Sequence, residues 1–102
     1  MLVVHAEVPV DPDHREEALD HVQRLVEASQ AEEGVIEYRA ATDLSDPNLV
    51  RIVERYEDAD AFESHIETDH FQEEFEQAIL DMLGGEPTVT RFEVDSATEL
   101  NL

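Results

Sequence analysis

Leu2, Val4, Ala6 and Val8 alternate with Val3, His5 and Glu7, and this two-residue period predicts a strand that Pro9 ends. Apolar residues near its start on both faces predict cover on both sides. The period then changes. Ala18, Leu19, Val22, Leu25, Val26 and Ser29 recur at helical spacing, leaving Glu16, Glu17, Asp20, Arg24 and Glu27 outward. Two starts suit this helix: Asp11 as N-cap with Pro12 in the first position, or Asp13 as N-cap with Glu16 closing a capping box. Gly34 is the expected stop. Residues 35–42 and 49–57 return to a strand pattern around a turn over 43–48, which predicts an antiparallel hairpin.

The stretch from Glu54 to Phe75 organises the second half. Asp58 is placed to cap a helix over 59–67, with Ala59, Phe62 and Ile66 on its buried stripe. Thr68 is placed to cap a second piece over 69–83, with Phe71, Phe75, Ala78, Ile79, Met82 and Leu83 inward and Gly84-Gly85 at its end. Residues 88–94 read as a last strand. Residues 1–95 then form one domain, and 96–102 a tail. The order strand, helix, strand, strand, helix, strand is the ferredoxin-like α+β pattern: a four-stranded antiparallel sheet with both helices on one face. The opposite face needs a cover, and the sheet of a second copy in a homodimer would supply it.

Charge changes the picture of the surface. The 102 residues carry 27 Asp and Glu against six arginines and no lysine, a formal net charge of −21. The acids are interleaved with periodic apolar residues, which argues for a folded acidic domain over a disordered one. Self-repulsion at this density opposes the compact state. At ~1 M salt the Debye length falls to about 3 Å and screens much of it, so the composition reads as adaptation to a salty, halophilic cytoplasm. With no basic patch to neutralise phosphates, nucleic acid and anionic membrane surfaces are excluded as partners. The absence of cysteine removes disulfides, thiolate chemistry and thiolate metal sites. The first residues lack the pattern of a secretory leader, and no apolar run approaches ~18 residues, so a cytoplasmic protein is expected.

Candidate chemistry concentrates at residues 54–75. His65 and His70 would point about 140° apart on one continuous helix, which argues against a shared metal. A break at Thr68 is the arrangement that would turn both rings toward one cavity. Each histidine then has two readings: a hydrogen bond that fixes the helix junction, or ligand polarisation and proton transfer. Tyr56 carries a hydroxyl that needs a partner if buried. Phe62, Phe71 and Phe75 read first as core. Glu54 is placed either for general-base work or for an ion pair with an arginine across subunits. His5 can reach a pocket or the subunit interface, whereas His14 and His21 read as solvated surface residues. No Gly-rich phosphate loop and no nucleophile-elbow serine is present.

The pieces Val8-Pro9-Val10, Ser29 to Tyr38 (SQAEEGVIEY), Glu54 to Asp58 (ERYED), Phe62 with His65, and His70-Phe71 resemble the antibiotic biosynthesis monooxygenase family over approximately residues 2–94. The resemblance implies a dimeric α+β barrel, two sheets face to face, with a pocket between each sheet and its own helices. It also implies oxidation of an aromatic phenol or quinol by O₂ without a cofactor or metal, the electron-rich substrate anion itself reducing oxygen. Such chemistry needs a dry apolar pocket and a base or hydrogen-bonding group. His65, His70 and Tyr56 suit the catalytic part, and His5, Glu54, Phe62, Phe71 and Phe75 the substrate-binding part. A related branch degrades haem with an asparagine, a tryptophan and a histidine; Glu7, Tyr56 and Phe75 stand at the corresponding places, a departure that argues against haem degradation. A non-enzymatic ligand-binding or regulatory dimer and a muconolactone-type isomerase use the same scaffold and stay open.

The charge pattern makes a direct prediction. The thermal unfolding midpoint, followed by circular dichroism, rises as salt increases from about 0.1 to about 2 M. A midpoint that is flat or falls over that range contradicts the reading of the acidic surface.

Overall fold

In the computed structural model, which describes residues 1–102, four strands form one antiparallel sheet. They are β1 (Leu2–Pro9), β2 (Val35–Asp43), β3 (Asp46–Tyr56) and β4 (Thr88–Glu93), in the spatial order β2-β3-β1-β4. This is the ferredoxin-like α+β arrangement. β1 and β3 are central, paired from Leu2 opposite Tyr56 to Pro9 opposite Leu49. The hairpin turn is tighter than the sequence suggests. Asp43 Oδ2 accepts from the Ser45 amide at 2.8 Å and Asp46 Oδ1 from the Asn48 amide at 3.0 Å, so pairing resumes at Asp46.

The alternation of β1 sorts its side chains. Leu2, Val4, Ala6 and Val8 are buried on the helix side, where Val50 and Ile52 of β3 and Tyr38 of β2 join them. Helix α1 (Arg15–Gln30) lays Ala18, Val22 and Leu25 on this layer. Burying aliphatic side chains of this size contributes roughly 1.5–3 kcal/mol each. Of the two predicted starts, the Asp11 one holds: Asp11 Oδ1 accepts from the Asp13 amide at 3.0 Å and caps a 3-10 turn, Pro12–His14, that leads into α1. On the other sheet face Val53 and Phe92 remain about two-fifths exposed. No helix is long and apolar enough to cross a membrane.

Two local expectations are corrected. Gly34 does not end α1, which closes at Ala31 without any residue at positive φ. Gly34 is needed for close approach instead. A Cβ there would stand 2.5 Å from Ala61 Cβ, on helix α2 (Ala59–Ile66). The stretch after Thr68 is not a continuous α-helix either. It runs as a π-helical segment, Phe71–Glu76, and then a 3-10 turn, Ile79–Met82. Two anchors impose this. Ile79 is fully buried in the core, and the Asp11 and Gly84 amides bond Met82 O and Pro9 O at 2.8 and 3.0 Å. The wider π turn takes up the register between these anchors and the phenylalanines upstream.

Gly34→Ala is therefore expected to cost about 1–3 kcal/mol, because α2 must retreat from the α1–β2 connection. Chemical denaturation of wild type and variant checks this; equal midpoints would show that the contact is not tight.

Candidate active site

The site starts from a helix break. Asp58 Oδ1 accepts from the Ala61 amide at 2.8 Å and starts α2. Two residues after α2 ends, Thr68 Oγ1 donates to His65 O at 2.7 Å and accepts from the Phe71 amide at 3.2 Å. Thr68 thus closes one helical piece and caps the next, as its position in the sequence suggested. Across the break, His65 and His70 no longer diverge. Their ring centroids are 6.1 Å apart. Both reach one oxygen, Glu32 Oε2: His65 Nδ1 at 2.7 Å and His70 Nε2 at 2.7 Å.

Glu32 lies on the loop between α1 and β2, two residues before Gly34. The close approach of α2 at Gly34 is what puts this loop within reach of His65. The His65 ring is 1 % exposed and held on three sides: Tyr38 and Phe71 at 5.2 Å between centroids, Tyr56 at 5.6 Å. A carboxylate accepts only, so Nδ1 carries the proton and donates to Glu32. The lone pair is left on Nε2, which is buried and has no hydrogen-bond partner. Burial pushes the His65 pKa down, against the opposing pull of Glu32. The ring is accordingly neutral at pH 7.

A cavity of about 70 Å³ lies between the sheet and α2 with the π segment. Eleven residues line it, and nine are hydrophobic; the two others are His65 and Glu54. Glu54 is 5 % exposed and bonded by the Tyr56 hydroxyl. Burial raises the Glu54 pKa to about 7, with the Glu32 charge adding to the rise and the Tyr56 bond opposing it. Tyr56 itself is pushed far above the ordinary phenol range by burial and by Glu54, so it stays protonated as a donor. The π segment supplies the aromatic wall, Phe71 and Phe75, stacked at 5.2 Å. It is tied to α1 through Glu74, which accepts from Arg24 Nε at 3.1 Å and faces His21 Nδ1 at 2.9 Å. His21 is thus a part-buried anchor, not the solvated residue expected. A larger groove of about 360 Å³ between α1 and β2 has Arg39 as its one ionisable group, and offers less for chemistry.

Most of the predicted site residues therefore meet. His65, Glu54, Phe62, Phe71 and Phe75 line the cavity. Tyr56 stands behind it and bonds Glu54, and His70 flanks it through Glu32. Glu54 faces the cavity, so the alternative of an ion pair across the bare sheet face falls away. His5 is not part of this group. It lies on the opposite sheet face against Phe92, ring centroids 5.2 Å apart, in a separate recess with Arg51 and Val53. The residue that sequence reasoning missed is Glu32. It is one of 27 acids, and only its place in the SQAEEGVIEY stretch marked it out.

The fold and site define a ferredoxin-like α+β domain with a small, mostly apolar cavity between the sheet and α2, served by one clamped histidine and one buried carboxyl. The family model for "Antibiotic biosynthesis monooxygenase" matches residues 1–77. The Bacillus subtilis (strain 168) protein named "Putative monooxygenase YcnE" is 39% identical over 72 residues, 71% of this chain and 76% of that one. Among solved structures, an antibiotic biosynthesis monooxygenase superposes with a TM-score of 0.88 at 25% identity, covering 94% of this chain and 100% of that one. A conserved protein from Methanosarcina mazei Go1 gives 0.84 at 27% identity, with 89% of each chain covered. This chain belongs to the antibiotic biosynthesis monooxygenase family.

The buried carboxyl generates a pH prediction. Folding raises the Glu54 pKa, so the native state holds its proton to higher pH than the unfolded chain does. Its contribution to stability falls as pH rises from about 4.5 to about 7, then levels off. Glu54→Gln keeps an acceptor for Tyr56 and removes the titration. The variant is expected to gain about 1–3 kcal/mol over wild type at pH 8 and to match it near pH 4.5. Urea unfolding across pH checks this; a constant difference between the two proteins would contradict it.

Proposed function

We propose that this protein oxidises a small aromatic phenol or quinol with O₂, without a bound cofactor. The observation that carries the reading is His65 Nε2: a buried lone pair with no partner, in an apolar cavity, on a ring clamped from behind by Glu32. A phenolic hydroxyl placed in the cavity can donate to Nε2 and pass it a proton. The resulting anion is electron-rich and surrounded by apolar walls, which favours electron transfer to O₂. For a phenol with a free para carbon the balance closes without another reductant: one oxygen atom enters as the quinone oxygen, and the other leaves as water with the two displaced hydrogens. Glu54, which loses its proton near pH 7, is a second proton-holding group on the same wall. Family membership and the name of the Bacillus subtilis relative support the same class of activity.

A cavity that holds benzene is on the order of 150 Å³, so an aromatic substrate requires the wall to move. The π segment, with Phe71 and Phe75, is the element placed to do so; π segments of this kind are frequent at functional sites. The sheet face opposite the cavity supports a homodimer, since Val53 and Phe92 there lack cover from this chain.

His65→Ala is expected to reduce turnover of a quinol panel by about 10²-fold or more, with oxygen consumption read on an electrode in molar salt. Equal rates in wild type and variant sink the assignment. Saturable binding without oxygen consumption favours a ligand-binding or regulatory dimer, and turnover without O₂ an isomerase, for which the His65 and Glu54 pair would also serve. Light scattering in the same buffer is expected to give twice the 11.6 kDa chain mass; a monomer contradicts the paired-sheet reading.

A further inference from the structure

We propose that Glu32, His65 and His70 bind one divalent transition-metal cation of the zinc class, at the flank of the cavity. Three features of the geometry carry this. First, the donor atoms come from separate segments, the α1–β2 loop and the two sides of the Thr68 break, and all lie within 4.8 Å of one another. Second, the spacing suits an ion. Metal–ligand distances of about 2.0–2.2 Å place tetrahedral donors roughly 3.3 Å apart. The two His–Glu separations of 2.7 Å open slightly to reach that value. Third, the donors are held. Three aromatic rings fix His65, and Thr68 fixes the backbone that relates it to His70.

The chemistry of the set selects the ion. Two imidazoles and a carboxylate suit zinc, cobalt, nickel or iron, while magnesium and calcium prefer all-oxygen sites. Glu32 and His70 are 15 % and 25 % exposed, so a route from solvent exists and a coordination position is open for water. The surplus of 21 negative charges raises the local cation concentration.

Binding has a consequence for the cavity. The cation takes the place of the proton on His65 Nδ1, and the proton moves to Nε2. The ring then presents a donor to the cavity in place of an acceptor. The metal-free protein favours a hydroxyl, whereas the metal-bound protein favours an oxyanion or carbonyl oxygen. The inference does not depend on the oxygenase reading, and its test reads binding alone.

The test is a cobalt(II) titration of EDTA-dialysed protein in about 2 M potassium chloride, where ions held loosely by surface carboxylates are screened. Visible absorption and calorimetry report binding. Wild type is expected to saturate at one ion per chain. His70→Gln and Glu32→Gln are expected to bind at least about tenfold more weakly, while Glu63→Gln, an exposed change on α2, binds like wild type. Zinc is also expected to raise the unfolding temperature of wild type clearly more than that of His70→Gln. No saturation at one equivalent, or equal binding by wild type and His70→Gln, overturns the proposal. His70 is a quarter exposed and outside the core, so its replacement tests ligation without removing a packed side chain.

Discussion

One carboxylate oxygen, Glu32 Oε2, holds the working part of this molecule together. It joins the α1–β2 loop to both sides of the helix break, at 2.7 Å to each histidine. Hydrogen bonds to a charged acceptor contribute roughly 1.5–3 kcal/mol each, comparable to a buried aliphatic side chain. Their orientational effect matters more. By taking the proton on His65 Nδ1, Glu32 leaves the other ring nitrogen, buried and without a partner, as a bare acceptor. Gly34 permits the approach, Thr68 sets the angle, and the rings of Tyr38, Tyr56 and Phe71 prevent His65 from turning away.

The protein is divided between two electrostatic regimes. Its surface carries an acidic surplus, 27 Asp and Glu against six arginines, in which most carboxylates are solvated and weakly coupled. Its cavity holds two polar side chains among nine apolar ones, and there burial dominates each group's behaviour. Burial raises the proton affinity of Glu54, so that it titrates at about 7, and lowers that of His65, so that the imidazole stays neutral. The family fold supplies the frame, and the chemistry of the cavity depends on this pair and its support.

Much of this was legible from the chain. The two-residue period of β1, the stripe of α1, and the Asp58 and Thr68 caps are local patterns, and the structure follows them. His65, Glu54 and the three phenylalanines could be proposed because they cluster in one sequence stretch. Glu32 could not, since beyond its place in the SQAEEGVIEY stretch nothing local separates it from its acidic neighbours; its role exists only once α2 packs over Gly34. The π segment was also hidden. Its residues carry an ordinary helical stripe, and the altered winding comes from anchoring Ile79 in the core while Met82 bonds Asp11 and Gly84 bonds Pro9. His5 shows the limit of a strand period, which says that a side chain faces away from its neighbours but not which layer it meets.

The most direct test is the protonation state of His65 in metal-free protein, read from nitrogen-15 shifts of the imidazole ring by long-range proton–nitrogen NMR at neutral pH. The account predicts a neutral ring protonated on Nδ1, with Nε2 at the shift of an unprotonated nitrogen. A ring protonated on Nε2, or an imidazolium that persists at pH 7.5, would contradict it.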